Sequence, residues 1–152
     1  MWGIFIMAEF LYSGRHIGIP VVDINKMKKF YCGLIGFIVK SDEIEEGFFI
    51  SNILGIKKAK IHVIKMTAPD GWMLELLQYL NFNDVRKPLQ RNIHDIGIAH
   101  FALTVKNIDK LYFFLKDDVV FISLPEINPS KKAKVCFCQD PEGNYIELVE
   151  NL

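Results

Sequence analysis

The sequence predicts an α+β fold built from two βαβββ modules. A ten-residue pattern, in which a turn runs into an alternating strand, occurs twice, as APDGWMLELL at 68–77 and DPEGNYIELV at 140–149. A second pattern, a strand followed by a helix, also occurs twice, beginning at His16 and at His100. Because strands and helices follow the same order in both halves, we interpret the chain as an internal repeat whose two units bury their apolar faces together.

The first module is predicted at residues 15–80, after an N-terminal extension at 1–14. The segment HIGIPVV, at 16–22, alternates as a strand, and Pro20 favours either a position at a sheet edge or an irregularity in the strand pairing. Asp23 can cap the helix that follows this strand. Later elements of the module are predicted as strands at 37–40, 60–66 and 72–79 and as a short helix within 42–55.

The second module is predicted at 98–152, after a connector at 81–97 that has little hydrophobic periodicity. The module begins with a strand at 99–105, and Asn107 is the expected cap of the next helix. Its later strands are predicted at 119–124, 133–138 and 145–149. The plan of the first module is therefore repeated, with a longer middle part in the first copy.

Two spacings locate that longer middle part. The two histidines that open the modules, His16 and His100, are 84 residues apart, whereas the glutamates of the two repeated strands, Glu75 and Glu147, are 72 apart. The first module therefore carries 12 additional residues, which we expect between positions 37 and 69.

Composition limits the classes of function. The chain has 152 residues, and its 18 Lys+Arg balance its 18 Asp+Glu, so the net charge is zero and gives no support to nucleic-acid or membrane-surface binding. Its three cysteines lack the spacing of a disulfide framework, which indicates a reducing compartment, and we expect a cytoplasmic protein. Cys136 and Cys138 share one face of a strand, where half-buried thiols are a simpler interpretation than metal ligands.

Each module carries one histidine at the start of its first strand and one glutamate inside its last strand. A carboxylate on an apolar strand is costly to bury unless something pairs with it. The aliphatic rows of these strands need cover that the helices can supply, which leaves the polar residues on a concave face. The set that we predict to meet there is His16, Glu75, His100 and Glu147.

Two imidazoles and two carboxylates suit one divalent transition ion, such as zinc, nickel, cobalt, manganese or iron. Four protein ligands on an octahedral ion leave two positions for water or substrate, as a catalytic site requires. Taken singly, each residue would more often be a structural histidine or a solvated glutamate. Because all four occupy matched repeat positions, the metal site is the preferred interpretation, whereas His62 and His94 have no repeat partner and are expected not to be ligands.

Three segments, HIGIPVVDINKMKKFYCGLIGF, IAHFALTV and DPEGNYIELV, resemble the vicinal oxygen chelate (glyoxalase/bleomycin resistance protein/dioxygenase) superfamily. The resemblance covers nearly all of 15–152 and implies a cupped mixed β-sheet around a metal, with helices on the outer face. The family's ligand positions fall on the same four residues, in a pattern closest to glyoxalase I and methylmalonyl-CoA epimerase. Extradiol dioxygenases typically use a His-His-Glu triad, and bleomycin-binding members usually lack metal ligands.

The resemblance implies a metal-dependent isomerase or lyase of the glyoxalase type, which removes a proton next to a carbonyl while a divalent metal holds the enediolate. We predict Glu147 as the general base and Glu75 as a second base or a ligand only. The alternatives are an extradiol-type dioxygenase and a non-catalytic small-molecule binding or resistance protein on the same fold. The substrate, and the use of glutathione or CoA, are left open.

The partners expected are a small-molecule substrate and a second copy of the chain. Residues on the glutamate-bearing faces are predicted to line a partly apolar substrate pocket. These pocket residues are Met73, Leu77, Ala102, Thr104 and Tyr145. A homodimer is expected because the family often pairs modules across subunits, and because an apolar N-terminal run needs cover. That run consists of Ile4, Phe5, Ile6, Phe10 and Leu11.

Overall fold

The computed structural model describes residues 13–82 and 92–152. The apolar N-terminal run at 4–11 and most of the connector lie outside these described residues. No helix within the described part of the chain is both long enough and apolar enough to cross a membrane.

The first module is a four-stranded sheet with its principal helix after the first strand. Its elements are β1 (His16–Pro20), α1 (Ile24–Lys28), a π-helical continuation of α1 (Lys29–Ile35), β2 (Ile38–Glu46), α2 (Phe48–Leu54), β3 (Lys60–Thr67) and β4 (Met73–Tyr79). The strand order is β1-β4-β3-β2, in which β1 and β4 are parallel and the other pairs antiparallel. The edge position predicted from Pro20 is confirmed, because β1 lies at one end of this order.

The second module repeats this arrangement. Its elements are β5 (His100–Thr104), α3 (Ile108–Leu115), β6 (Val120–Phe121), β7 (Glu126–Ile127), β8 (Ala133–Gln139) and β9 (Tyr145–Asn151). The order is β5-β9-β8-β6, with β5 parallel to β9 and with β7 as a short additional strand on β8. The predicted α+β fold of two βαβββ modules is confirmed. The 12 additional residues of the first module correspond to a longer β2 and to α2, which the second module lacks.

The repeat extends to the pairing register of individual residues. Glu75 lies opposite Gly18 on β1 and opposite Lys65 on β3. At the matched positions of the second module, Glu147 lies opposite Ala102 on β5 and opposite Phe137 on β8. The two glutamates therefore occupy equivalent places in their sheets, as their shared sequence context predicted.

One hydrophobic cluster connects the two modules. It combines the aliphatic faces of both sheets with the inner faces of α1 and α3, since burial of apolar surface is the main favourable contribution to folding. Members of this cluster that are almost completely buried include Met27, Tyr31, Leu74, Leu76, Ile108, Ile146 and Leu148. The faces that carry the glutamates lie on the opposite sides of the same sheets, because side chains alternate along a strand.

Cys136 and Cys138 belong to this shared core and not to the face of the sheet that carries Glu147. Burial raises the pKa of Cys136 to about 11 and that of Cys138 to about 12, so both remain neutral thiols at physiological pH. The interpretation of these residues as buried thiols agrees with this position.

The turn before β9 fastens the second module to α1. The Glu142 carboxylate accepts hydrogen bonds from the backbone N–H groups of Val22, at 2.8 Å, and Asp23, at 2.7 Å. Asp140 accepts a hydrogen bond of 2.7 Å from the hydroxyl of Tyr31, which is fully buried. Burial, and then the nearby Asp140 carboxylate, raise the pKa of Tyr31 well above its ordinary value, so its phenol stays protonated as a donor.

The ends of the helices agree with the sequence in part. Asp23 caps α1 by accepting from the Lys26 N–H at 3.0 Å, as predicted. Asn107 holds the cap position of α3, but its side chain makes no capping hydrogen bond. Instead, the Glu150 carboxylate accepts from the backbone N–H groups of Asn107, at 2.7 Å, and Ile108, at 3.1 Å. The carboxylate of Glu150 on β9 therefore caps α3, and the predicted cap by the side chain of Asn107 is wrong.

Candidate metal-binding site

The first half of the predicted site is a contact between neighbouring parallel strands. His16 opens β1, and its Nε2 lies 3.2 Å from Oε2 of Glu75 on β4. The glutamate side chain is 13% exposed and the histidine side chain 31% exposed, so the pair can be reached from solvent. Gly18 faces Glu75 without a side chain, and a Cβ at this position would lie only 3.2 Å from Leu77 Cδ1. We call the His16–Glu75 pair the first half-site.

The second half of the predicted site has the same construction. His100 opens β5, and its Nε2 lies 3.1 Å from Oε2 of Glu147 on β9. The Phe137 ring stands edge-on to the imidazole of His100, at 5.1 Å between ring centroids. The neighbour of Glu147 on β5 is the small residue Ala102. We call the His100–Glu147 pair the second half-site.

Each half-site has the donor chemistry of a divalent transition-metal site. One imidazole nitrogen and one carboxylate oxygen stand close together, partly exposed, with a residue of minimal size beside the carboxylate. A cation between these donors would bind both the imidazole nitrogen and the carboxylate oxygen, and these two bonds would replace the direct contact between the side chains. The residues therefore fit the ion that the sequence predicted.

A single chain does not bring the two half-sites together. Within residues 13–82 and 92–152, no three or more His, Cys, Asp or Glu side chains form a group that could hold a metal ion. The physical reason is the shared core, which joins the helix-covered faces of the two sheets and leaves the half-sites on separate outward faces. The meeting of all four residues around one ion stays a prediction, and it requires a further contact between modules.

Lys65 is a charged neighbour of the first half-site that the sequence analysis did not select. Its Nζ lies 3.7 Å from Oε1 of Glu75 and 3.8 Å from Oε1 of Glu45. The signal in the sequence was present, because Lys65 precedes Glu75 by the same ten residues that separate Phe137 from Glu147. The residue at this position differs between the two modules, so identity between the repeats does not point to it.

The predicted pocket residues lie beside the half-sites. Met73 and Leu77 flank Glu75 at alternate positions of β4, and Tyr145 has the same relation to Glu147 on β9. Ala102 and Thr104 follow His100 at alternate positions of β5 and are exposed. These residues therefore share faces with the four metal-ligand candidates, and their contact with a substrate stays a prediction.

Helix α2 packs on the same face of the first sheet as Glu75. Its buried residue Ile50 belongs to a small cluster with Ile61 and Val63 of β3, against which Leu77 also packs. The outward side of α2 carries Phe48, which is 84% exposed, and Phe49, which is 72% exposed. This helix therefore forms an apolar wall next to the first half-site.

The other two histidines lie apart from both half-sites. His62 Nε2 lies 2.6 Å from Oδ1 of Asp42, whose Oδ2 accepts a 2.6 Å hydrogen bond from Lys28 of α1. The hydrogen bond with His62, and then that with Lys28, lower the pKa of Asp42. His94 is exposed in a turn. Within the described residues, neither histidine belongs to a group of three or more His, Cys, Asp or Glu side chains that could hold a metal ion, and their exclusion as ligands stays a prediction.

Comparisons with known proteins place these features in a wider group. The model of the Glyoxalase/Bleomycin resistance protein/Dioxygenase superfamily matches residues 15–148. The uncharacterized protein YaeR of Escherichia coli is 25% identical over 142 residues, which cover 90% of this chain and 94% of that protein.

Solved structures share the fold. A glyoxalase family protein from Bacillus cereus superposes with a TM-score of 0.84 at 21% identity, covering 93% of this chain and 95% of the other. An antibiotic binding protein from a Streptomyces species superposes with a TM-score of 0.60 at 18% identity, covering 94% and 98% of the two chains. At these identities, the structural similarities describe the fold alone.

Proposed function

The chain belongs to the Glyoxalase/Bleomycin resistance protein/Dioxygenase superfamily, and from this membership we propose that it is a metal-dependent lyase or isomerase of the glyoxalase type. The proposed reaction is the removal of a proton from a carbon next to a carbonyl group of a small molecule. The observation that carries the proposal is the pair of half-sites, in which a histidine and a glutamate meet twice in the same register.

We assign one divalent ion, either zinc, nickel, cobalt, manganese or iron, to the four side chains of a complete site. His16 and Glu75 would supply two ligands, and His100 and Glu147 the other two. When bound, the ion would supply positive charge that stabilises the oxyanion formed as the proton leaves. Nitrogen and oxygen donors of this kind suit such an ion, whereas calcium and magnesium prefer oxygen alone.

A homodimer would complete the site. In the proposed arrangement, the first half-site of one protomer faces the second half-site of its partner. A twofold axis would then create two equivalent sites per dimer, because each protomer presents both halves. The separation of the half-sites within one chain supports this arrangement, and the exposed aromatic residues of α2 offer apolar surface that a partner could cover.

Within a complete site we assign the general base to Glu147. Its neighbours are an imidazole and the aromatic ring of Phe137, whereas Glu75 is held between His16 and the ammonium group of Lys65. A base must approach the substrate proton within hydrogen-bond reach, and Glu147 is the less constrained of the two carboxylates. Glu75 then acts mainly as a ligand.

The test is a combined measurement of metal content and proton exchange. The purified protein should bind about one ion per chain after reconstitution, and it should exchange the proton next to the carbonyl in deuterated water. The first substrates to offer are the methylglyoxal–glutathione hemithioacetal and methylmalonyl-CoA. Replacement of either histidine by alanine should abolish both properties, whereas His94→Ala should preserve them. Full exchange without bound metal would contradict the proposal.

A second candidate is small-molecule binding without turnover. It is favoured by the structural similarity to an antibiotic binding protein and by the exposed apolar wall of α2. Binding of an apolar compound with unchanged affinity in the His16→Ala variant, and without proton exchange, would favour this function. Oxygen consumption with catechols in the iron- or manganese-loaded protein would instead identify a dioxygenase.

A further inference from the structure

The two half-sites agree in their histidine and glutamate but differ in the residue beside the glutamate. Lys65 lies directly opposite Glu75, and Phe137 holds the matched position opposite Glu147. An ammonium group therefore flanks one carboxylate, and an aromatic ring flanks the other. A substrate bound between the two half-sites would meet positive charge at one end and apolar surface at the other.

The ammonium group of Lys65 keeps donor capacity that its protein contacts do not use. Its distances to the carboxylates of Glu75 and Glu45 are 3.7 and 3.8 Å, longer than the roughly 2.7–3.2 Å of a hydrogen bond. By contrast, Lys28 on the other side of the sheet donates to its aspartate at 2.6 Å. A lysine has three N–H donors, and the side chain of Lys65 is 38% exposed on the face of the half-site.

We propose that Lys65 selects substrates that carry a carboxylate on or next to the reacting carbon, and that it binds this carboxylate. The proposal rests on the proposed function, because that function places the reacting carbon at the half-sites. When Glu75 binds a metal ion, its carboxylate attracts the ammonium group of Lys65 less strongly. A substrate carboxylate can then bind this ammonium group. The Phe137 side then faces the apolar end of the substrate.

A matched pair of probes tests this assignment. Lactate and acetoin share a hydroxyl-bearing carbon and have nearly the same shape, but lactate carries a carboxylate where acetoin carries a neutral acetyl group. Binding of each would be measured by NMR titration and calorimetry, in the cobalt-loaded and in the metal-free protein. The variants are Lys65→Met and, as a control on the same strand, Lys60→Met, whose ammonium group pairs with Glu46 instead.

Wild-type protein should prefer lactate to acetoin. Lys65→Met should weaken lactate binding on the order of 10-fold or more, since a charge-assisted hydrogen bond is lost, and should leave acetoin binding unchanged. Lys60→Met should change neither. If lactate binds equally well to Lys65→Met and wild type, or if acetoin binding falls in parallel with lactate binding, the proposal is wrong.

Cobalt uptake, followed by absorption spectroscopy, separates this proposal from the proposed function. If Lys65→Met takes up cobalt like wild type and shows no change in lactate preference, only the role of Lys65 fails. If neither protein takes up cobalt, the proposed function fails and substrate selection by Lys65 fails with it, and the lactate titrations of the metal-free proteins then decide only whether Lys65 binds a carboxylate. A selective loss of lactate binding in Lys65→Met supports carboxylate binding by Lys65 in either form of the protein.

Discussion

Glu147 and Glu75 occupy matched strand positions, but their surroundings differ. Each carboxylate lies close to an imidazole, at 3.1 Å for Glu147 and 3.2 Å for Glu75. Only Glu75 also has an ammonium group within 4 Å among the described residues. The residue that shares its charge with fewer partners is the better candidate for transferring a proton.

The corresponding prediction compares Glu147→Gln with Glu75→Gln. An amide keeps an oxygen donor of similar shape but cannot accept a proton near neutral pH, so Glu147→Gln should lose on the order of 10²–10⁴-fold in proton exchange while retaining much of its metal. Glu75→Gln should lose much less activity. Deuterium exchange and metal content are measured on the same samples. Full exchange by metal-loaded Glu147→Gln would show that Glu147 is only a ligand.

The three cysteines give a prediction that is independent of the proposed function. Burial raises the pKa of Cys136 and Cys138 to about 11 and about 12, and it also raises that of the half-buried Cys32. Because the thiolate is the reactive form, a disulfide reagent at pH 7 should modify at most one thiol in the native protein and all three in urea. Cys32→Ser should abolish the native reaction. Rapid modification of two or more native thiols would contradict the buried placement.

At the residue scale, the contact of each histidine with a glutamate was predictable because chemistry and repetition coincide there, whereas their role as metal ligands stays a prediction. A histidine and a glutamate recur in matched contexts, and the structure pairs His16 with Glu75 and His100 with Glu147. Lys65 was missed for the opposite reason. The two modules differ at this position, where the second module has Phe137, so the residues that both modules share do not include it.

Among the elements, α1 begins at a direct contact with the other module. The N–H groups of Val22 and Asp23, just before its first turn, donate to the carboxylate of Glu142, which is 7% exposed. The repeat counterpart of Glu142 is Asp70, which is exposed and accepts a local hydrogen bond from the Trp72 N–H. The two modules therefore use the same turn differently. Glu142 of the second turn accepts hydrogen bonds from the other module, whereas the first turn contacts the other module through Trp72, which stacks on Phe101 at 5.8 Å between ring centroids.

This asymmetry predicts unequal effects on stability. Glu142→Gln removes a buried charge that two N–H groups share, and it should lower the free energy of unfolding by about 1–3 kcal/mol. Asp70→Asn, the matched control, keeps an acceptor on an exposed turn and should change it by less than about 0.5 kcal/mol. Urea unfolding followed by tryptophan fluorescence and circular dichroism supplies both values. Equal effects of the two substitutions would rule out the cross-module contact as a main source of stability.

Element boundaries were predictable where a local signal sets them. Asp23 begins α1 as expected, and Gly36 ends the helical segment with a left-handed φ of 99°. The strand predicted at 37–40 extends instead as far as Glu46, although its second part is acidic. Pairing with β3 decides this extension, because Asp42, Glu43 and Ile44 each face a residue of that strand. Such support comes from sequence-distant contacts that a local pattern does not contain.

At the scale of the whole molecule, the sequence predicts two modules but not how they face one another. The alternation of each strand determines which side is apolar, whereas the relative placement of two sheets depends on how both apolar sides fill one core. Here that core joins the helix-covered faces, and the half-sites are left apart. In the proposed function, a complete site therefore depends on the assembly of two chains.

A mixing experiment tests this step directly. One variant carries His16→Ala and Glu75→Ala, which destroy the first half-site, and the other carries His100→Ala and Glu147→Ala, which destroy the second. If each site forms between two protomers, a 1:1 mixture that has exchanged subunits contains half heterodimers, each with one intact site. Metal content and proton exchange should then recover to about one quarter of wild type, although each variant alone has neither.

The control mixture combines His16→Ala with Glu75→Ala, two single variants of the same half-site. Every dimer in that mixture lacks an intact first half-site, so no recovery is expected. Sites formed within one chain would give no recovery in either mixture, because every chain carries a damaged half-site. Sedimentation of the mixtures verifies that dimers are present, and native mass spectrometry with one variant labelled with ¹⁵N verifies that subunits have exchanged. Recovery in the first mixture alone would then assign the complete site to the interface between two chains.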